Sequence, residues 1–164
     1  MTGSGSPAGA PWLEEDAVEL AIRILHSHGQ AYGRPLLAGV GANRDHRQAA
    51  QELFTSATVV LAHDGDQDPR FIYANAAALR LWQRPWQAMI GLPSRTTVSP
   101  AERQAREGVL DQARRRGALA DYGGTRIDSG GRRFRIEHTR LWTLDDRNGS
   151  VLGQAAAFDR WWWL

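Results

Sequence analysis

Apolar residues fill most positions from 57 to 63, and a turn rich in Asp, Gly and Pro separates them from a second apolar run at 70–74. A run without polar alternation predicts a strand that is covered on both faces and lies inside a sheet. The short turn predicts that the second run pairs with it as an antiparallel hairpin. Asn75 then precedes an alanine-rich segment, and favours the start of a helix over about 76–83.

Helical spacing of apolar residues predicts two helices before the hairpin, over 13–29 and about 45–54. After it, the pattern predicts a further helical turn near 86–90 and a longer helix over about 100–116. Ser99 followed by Pro, with Glu three residues later, is typical of the N-terminus of such a helix.

Three more strands are predicted at roughly 119–128, 132–144 and 151–160, joined by a Gly-Gly pair at 130–131 and an Asn-Gly pair at 148–149. Short turns make neighbouring strands antiparallel. The helical segment between the two groups of strands is long enough for the last strand to return beside the first. The pattern therefore predicts an α+β fold, with a five-stranded antiparallel sheet, helices on one face and an N-terminal helical cap.

A chain of 164 residues predicts one domain with an accessory segment. We divide it into a flexible tail at 1–12, a helical cap at 13–56 and a sheet domain at 57–164. The absence of cysteine excludes disulfides and thiolate metal ligands. No apolar run approaches the ~20 residues of a membrane span, and the N-terminus lacks a secretory pattern. We therefore expect a cytoplasmic protein without a membrane partner.

All twenty basic residues are Arg, scattered along a chain of net charge +2. A nucleic-acid-binding protein usually concentrates its basic residues in a stripe with interleaved aromatic residues. No nucleic-acid partner is therefore expected.

Short motifs spread over 57–161 carry a resemblance to a known family. They are His63-Asp64 with Asp68-Pro69, Tyr73-Ala74-Asn75-Ala76-Ala77-Ala78-Leu79, Leu92-Pro93-Ser94-Arg95, Asp121-Tyr122 with Gly124 and Arg126-Ile127, Gly131-Arg132-Arg133-Phe134-Arg135-Ile136-Glu137, and Gly153-Gln154-Ala155-Ala156. These segments resemble the MEKHLA family of PAS-like domains, in the form of a bacterial single-domain member. The resemblance implies a small-molecule-binding or sensory module, with a pocket between the sheet and its helices.

The turn at 130–131 predicts which residues of the third and fourth strands lie opposite each other. If these two residues form the whole loop, Arg126 lies opposite Arg135 and Gly124 opposite Glu137, on a polar face that also carries Tyr122. The other face is then apolar and carries His138 and Trp142. Two Arg side chains in opposite positions repel each other, so a neutralising group is expected. Three explanations of this polar face remain open: a buried ion-pair network under the N-terminal helix, a bound carboxylate held by a guanidinium fork, and a face exposed to solvent.

Three further positions are candidate ligand contacts. Gln154 lies in a strand of small residues, where either close helix packing or a ligand would explain the pattern. Its face cannot be assigned, because turns of two and three residues give opposite answers. Arg95 lies in the loop before the long helix, where a pocket mouth could form. Trp142 is more simply explained as a core residue.

Histidines supply the remaining candidates. His63 and His138 can each be explained as core residues whose ring nitrogens are hydrogen-bonded within the protein. Alternatively, each is a ligand contact or a weak ligand of a metal or haem. No cofactor is required by the sequence, although haem, flavin or a metal is compatible with it.

Two functions other than a sensor remain open. One is an oxygenase-type or hydroxylase-type enzyme acting on an amino-acid-like substrate, with the Arg residues on its carboxylate and His63, His138 or Glu137 as catalytic candidates. The other is an interaction or dimerisation adaptor that uses the Trp residues at 161–163. We expect a homodimer, and a small-molecule ligand that is anionic.

Overall fold

The computed structural model describes residues 9–38 and 45–164. Helices α1 (Glu15–Tyr32) and α2 (His46–Thr55) confirm the two predicted N-terminal helices. Residues 1–8 of the predicted tail lie outside the described residues. Pro11–Leu13 forms a 3₁₀ turn, and the ring of Trp12 stacks on that of Phe54 with centroids 3.7 Å apart.

A hairpin, a helical crossover and three long strands make up the rest of the chain. The elements are β1 (Val59–Asp64), β2 (Phe71–Ala74), α3 (Ala76–Trp82), α4 (Trp86–Met89), α5 (Arg103–Arg116), β3 (Ala118–Ile127), β4 (Arg133–Asp145), β5 (Val151–Phe158) and β6 (Arg160–Trp163). The sheet order is β2-β1-β5-β4-β3, with every pair antiparallel, and β6 pairs with β4. Val59 pairs with Phe158, which confirms that the first strand lies inside the sheet beside the last. The sheet has six strands rather than five because a bend at Asp159 divides the final strand.

Helices cover both faces of the sheet. The N-terminal helices pack on one face, over a core that includes Val60, Tyr73 and Trp142. The crossover helices cover the other face, over cores that include Phe134 and Leu141. This arrangement confirms the predicted PAS-like α+β fold with a helical cap. No helix within the described ranges is long and apolar enough to cross a membrane.

Asn75 caps α3 as predicted and also joins three elements. Its side-chain oxygen accepts hydrogen bonds from the backbone N–H groups of Ala78 (3.2 Å) and Val60 (3.0 Å). Its amide nitrogen donates to the carbonyl oxygens of Thr58 (2.7 Å) and Leu53 (3.1 Å). A fully buried amide with every polar atom satisfied fixes where α2, β1 and α3 meet.

The start of the long helix differs from the prediction. The side chain of Ser99 makes no capping hydrogen bond, and a 3₁₀ turn at Pro100–Glu102 precedes α5. The carboxylate of Glu102 instead accepts a hydrogen bond from the backbone N–H of Thr125, at 3.1 Å from one oxygen. Glu102 therefore ties the crossover to β3, so the predicted capping box is wrong.

The β3–β4 register is also shifted by one residue from the predicted one. Residues 129–131 form a three-residue loop closed by the N–H of Asp128, which donates to the carbonyl oxygen of Arg132. The Asp128 carboxylate fixes this loop by accepting from the N–H groups of Gly130 (2.9 Å) and Arg132 (2.8 Å). Arg126 consequently pairs with Phe134, and Thr125 with Arg135. A shift of one residue moves side chains to the opposite face, so the predicted Arg126–Arg135 pair is wrong.

Two compensating bulges interrupt the same strand pair. One extra residue on β3 lies between the pairs Leu119–Leu141 and Tyr122–Thr139, and one extra residue on β4 follows. Asp121 and His138 adopt left-handed φ values of 61° and 52° in these bulges. His138 is exposed, and its Nδ1 lies 3.2 Å from a carboxylate oxygen of Asp121. The predicted position of His138 on the apolar face is therefore wrong.

Candidate functional site

A cavity of about 50 Å³ lies between the sheet and helix α5. Strands β1, β3, β4 and β5 form its floor, and α5 contributes Arg106, Val109 and Leu110 from above. Much of the wall is apolar, with Ile136 and Phe158 among its side chains. The wall also carries two distinct sets of polar side chains, one cationic and one rich in hydrogen-bond acceptors.

The cationic set consists of two buried guanidinium groups. Arg106 is 9% exposed and Arg126 is 7% exposed, and both line the cavity. Arg106 donates to the Ser94 hydroxyl at 3.0 Å, and Arg126 donates to the Tyr122 hydroxyl at 3.1 Å and to the carbonyl oxygen of Thr125 at 3.1 Å. All of these acceptors are neutral.

Neither guanidinium belongs to an ion pair found among the described residues. Burial and the charge of Arg126 lower the pKa of Arg106 to about 10, while Tyr122 and exposed Glu107 oppose this shift only in part. Arg106 remains protonated at neutral pH. The cavity wall therefore carries positive charge that its own hydrogen bonds do not neutralise.

Gly124 provides the space in which the Arg126 side chain lies. A Cβ atom at this position would be 2.7 Å from the Tyr122 hydroxyl and 2.8 Å from Nη1 of Arg126. Both distances are shorter than van der Waals contact, so any larger residue would displace one of these side chains. The glycine in the Gly124–Arg126 motif thus positions a guanidinium at the cavity.

The acceptor set consists of His63 and Gln154, which are register partners on neighbouring strands β1 and β5. Nδ1 of His63 lies 2.8 Å from the carbonyl oxygen of Asp64, to which it donates, so Nε2 carries a lone pair. Burial lowers the pKa of His63 to about 4, which keeps the ring neutral. The amide nitrogen of Gln154 donates to the carbonyl oxygen of Leu110 at 3.0 Å.

Four buried polar atoms on the cavity wall have no hydrogen-bond partner within residues 9–38 and 45–164. They are His63 Nε2, Gln154 Oε1, Thr139 Oγ1 and Trp82 Nε1. Buried polar groups in folded proteins are nearly always paired, and leaving one unpaired costs roughly 1–3 kcal/mol. Their concentration around one cavity indicates that a polar ligand or ordered water satisfies them.

A close backbone approach holds the acceptor set in place. A Cβ atom on Gly153 would lie 1.9 Å from the carbonyl oxygen of His63, and two backbone atoms of Asp64 lie within 3 Å of the same point. Only glycine allows β1 and β5 to meet this closely beside His63 and Gln154. The Gly153-Gln154 pair in the sequence motif is therefore explained by geometry.

A surface crevice of about 500 Å³ adjoins the cavity. The two spaces share the side chains of His63, Arg106, Leu110 and Gln154. Arg95 lines the crevice, where it pairs with Asp68 at 3.1 Å, in the region predicted for a pocket mouth. The side chains that the two spaces share therefore separate the crevice from the polar part of the cavity wall.

Comparison with known proteins identifies the family. The family model described as "MEKHLA domain" matches residues 18–163. The chain belongs to the MEKHLA family. No curated protein matches it.

Solved structures show the fold to which this MEKHLA chain is similar. A PAS domain of a protein from Colwellia psychrerythraea superposes with a TM-score of 0.60 at 16% identity, covering 68% of this chain and 92% of that one. An RNA-binding light-oxygen-voltage receptor gives 0.59 at 18% identity, over 77% of this chain and 35% of that one. A light-oxygen-voltage domain studied with a flavin analogue gives 0.55 at 18% identity, over 71% and 84% of the two chains. These likenesses establish a PAS-like fold.

The MEKHLA cavity does not fit a flavin or a haem. Its volume of about 50 Å³ is far below the roughly 150 Å³ of a protein cavity that holds benzene. A tricyclic flavin ring or a porphyrin is several times larger than benzene. The described residues also contain no group of three or more His, Asp or Glu side chains placed to hold a metal ion.

The structure brings together four of the residues singled out from the sequence. His63, Tyr122, Arg126 and Gln154 line the cavity, on the face covered by the crossover helices and not under the N-terminal cap. Sequence reasoning missed Arg106, although its spacing to buried Leu110 and Ala113 follows the i, i+4, i+7 pattern of a buried helix face.

Four other candidates lie away from the cavity. Arg135 and Glu137 are partly exposed, and Nε of Arg135 lies 4.0 Å from a carboxylate oxygen of Glu137. Arg135 pairs with Thr125, the neighbour of Arg126, so its side chain lies on the opposite face of the sheet from that of Arg126. His138 is exposed beside Asp121. Trp142 is buried under α1, where its indole N–H donates to the Ser27 hydroxyl at 2.9 Å. Consequently the catalytic candidates His63, His138 and Glu137 do not form one site.

Proposed function

We propose that this MEKHLA protein is a sensory module whose interior cavity binds a small anion. The observation that carries the proposal is the pair of buried guanidinium groups, Arg106 and Arg126, with neutral hydrogen-bond acceptors at one cavity. Buried charges in proteins are normally paired, because taking an unpaired charge out of water is costly. An anion between the two side chains would supply the missing charge. The PAS-like fold supports a sensory role for such a site.

A carboxylate or a similar planar anion suits the two groups. A guanidinium presents several N–H donors in one plane, which matches the geometry of a carboxylate. Each of the two Arg residues uses part of this donor set on protein oxygens and has further N–H groups available. The Thr139 hydroxyl and the Trp82 N–H add two neutral donors on the same wall.

Thermal unfolding in the presence of propionate tests this proposal. We expect propionate to raise the melting temperature of the wild type in a low-chloride buffer, because a ligand that binds only the folded state stabilises it. The same addition should leave Arg106→Met and Arg126→Met unchanged. Arg135→Leu is the matched control, because Arg135 was a sequence candidate yet lies on the opposite face of β4. Equal shifts in all four proteins, or no shift in the wild type, would contradict the proposal.

A homodimer is a second proposal, which the exposed end of β6 supports. Trp162 is 41% exposed and Leu164 is 62% exposed, whereas Trp161 and Trp163 pack on Phe134. An exposed Trp beside an exposed Leu is a suitable apolar contact for a second copy. Light scattering of the wild type and Trp162→Ser would test it, with a dimer expected only for the wild type. The cytoplasmic location stays a prediction.

A further inference from the structure

The cavity wall has two chemically different ends. Arg106 and Arg126 offer N–H donors and positive charge, whereas His63 and Gln154 offer the unpaired acceptors Nε2 and Oε1. A simple carboxylate would satisfy the donors and leave both acceptors unpaired. A ligand that satisfies both ends must carry an anionic group together with a hydrogen-bond donor.

The two acceptors lie close enough to act on one group of the ligand. His63 and Gln154 are direct register partners on antiparallel strands and line the same cavity. The Cβ atoms of such partners are about 5 Å apart. The tautomer of His63 is fixed by its bond to the carbonyl of Asp64, so its Nε2 accepts and does not donate.

The donor on the ligand must be uncharged. None of the described residues that line the cavity is Asp or Glu, so no carboxylate of the cavity wall balances an ammonium group, and Asp64 beside His63 lines the adjoining crevice instead. An ammonium would also meet the field of two buried guanidinium groups. A hydroxyl group has the required proton and brings no charge.

The size of the cavity limits the rest of the molecule. A water molecule needs roughly 10–15 Å³ of such volume, so about 50 Å³ limits the ligand to the smallest acids, and a chain longer than three carbons would require the wall to rearrange. The remaining wall includes Leu110, Ile136 and Phe158, which suit a methyl group.

We infer that the anion is a short 2-hydroxy carboxylate of two or three carbons, with its carboxylate toward Arg106 and Arg126 and its hydroxyl toward His63 and Gln154. This assignment rests on the proposed function, because it names the chemical class that the same cavity selects.

A matched set of three-carbon acids tests the assignment. Calorimetric titration of the wild-type protein at pH 7.5 would compare lactate, propionate, alanine and 3-hydroxypropionate at equal ionic strength. We expect lactate to bind about tenfold or more tightly than propionate, because one hydrogen bond to otherwise unpaired buried acceptors is worth about that factor. Moving the hydroxyl to carbon 3 should remove most of the gain, and alanine should bind more weakly than propionate.

Variants on the acceptor side separate this assignment from the proposed function. Gln154→Leu and His63→Phe should reduce the ratio of lactate to propionate affinity toward one while keeping propionate binding. His138→Gln, in an exposed bulge, should keep the wild-type ratio. If propionate binds as tightly as lactate, or alanine as tightly as lactate, the 2-hydroxy assignment fails while anion binding stands. If none of the four acids binds, the proposed function fails as well.

Discussion

Arg106 and Arg126 reach one cavity from two different layers of the protein, Arg106 from helix α5 and Arg126 from strand β3. The charge of Arg126 contributes to the lowered pKa of Arg106, so the two groups interact unfavourably across the space between them. Such an arrangement opposes folding of the ligand-free protein and favours binding of an anion. Stability and ligand affinity are therefore opposed at this site.

Replacing Arg106 by Met should leave the ligand-free protein at least as stable as the wild type. An unpaired buried charge is costly to desolvate, so its removal should offset the loss of the hydrogen bond to the buried Ser94 hydroxyl, and the long Met side chain can fill the same space. Denaturant unfolding in low-chloride buffer measures this. Arg114→Met is the control on the same helix, because Arg114 is exposed and pairs with exposed Asp111, and its effect should stay within about 0.5 kcal/mol. A loss of more than about 2 kcal/mol on replacing Arg106 would show that its charge is already balanced within the protein.

Gly124→Ala should weaken anion binding more than it reduces stability. The new methyl group would meet the Tyr122 hydroxyl and the Arg126 guanidinium, two side-chain ends that can move aside. Moving Arg126 takes its N–H donors away from the ligand, and we expect an affinity loss of about tenfold, the usual value of one charge-assisted hydrogen bond. Gly108→Ala is the control, because a Cβ at Gly108 in α5 meets nothing within 4 Å. Titration with propionate that gives the same affinity for both variants would contradict the role assigned to Gly124.

Gly153→Ala should instead destabilise the whole fold. Here the new atom meets backbone of β1, which cannot move without breaking the β1–β5 pairing. We expect a loss of roughly 2–4 kcal/mol, in the range of severe overpacking. Thermal unfolding and the far-ultraviolet circular dichroism spectrum would measure it. A variant as stable as the wild type would mean that the two strands are farther apart than the structure shows.

Acid should destabilise the protein through His63 and His28. Burial lowers the pKa of His63 to about 4, and burial together with the nearby Arg140 lowers that of His28 to about 4, from 6.5 in both cases. Between pH 6.5 and 4 the unfolded chain binds protons that the folded chain does not, so the free energy of unfolding falls as the pH falls. For the buried ring of His63 this amounts to about 3 kcal/mol at most.

Urea unfolding at several pH values measures that slope. His63→Phe and His28→Gln should each flatten the fall in the free energy of unfolding between pH 6.5 and 4, and the double variant should flatten it further. Unchanged slopes would contradict the statement that both rings are neutral in the folded state. In the structure, His28 Nδ1 donates to the carbonyl of Arg34 at 3.1 Å and Nε2 accepts from Arg140, which is consistent with a neutral ring.

The three terminal Trp residues should differ in their contribution to stability. Trp163 contacts the rings of Phe134 and Trp161 edge-on and lies under the Arg132 guanidinium, whose central carbon is 3.8 Å from its centroid. Trp162 points to the other face and is 41% exposed. Trp163→Ala should cost about 2–3 kcal/mol and Trp162→Ala less than 1 kcal/mol. Equal losses in chemical unfolding would mean that β6 does not pack as observed.

Local sequence patterns predicted the elements well because their causes are local. The uninterrupted apolar run at 57–63 placed β1 inside the sheet, and Asn75 marked the start of α3. Both depend on burial and on hydrogen bonds over a few residues. The end of the last strand was less well predicted, because the bend at Asp159 divides what appears in sequence as one run.

The candidate site was only partly predictable, because it depends on register. The carboxylate of Asp128 selects a three-residue loop, and this single choice moves Arg126 to the cavity face and Arg135 away from it. A second bulge then turns His138 out to solvent. Arg106 was overlooked because a charged residue on a helix is usually exposed. The sequence signal that could have revealed it was its i, i+4, i+7 spacing to the buried residues Leu110 and Ala113.

Anion binding by Arg106 and Arg126 is tested by calorimetric titration of lactate into the wild-type protein, Arg106→Met, Arg126→Met and Arg135→Leu. We expect saturable binding with one site per chain in the wild type and in Arg135→Leu, and a loss of at least about tenfold in affinity for each cavity variant. Lactate binding of equal strength in all four proteins would contradict the claim, because the buried guanidinium groups would then not hold the anion. The absence of binding in the wild type would contradict it as well.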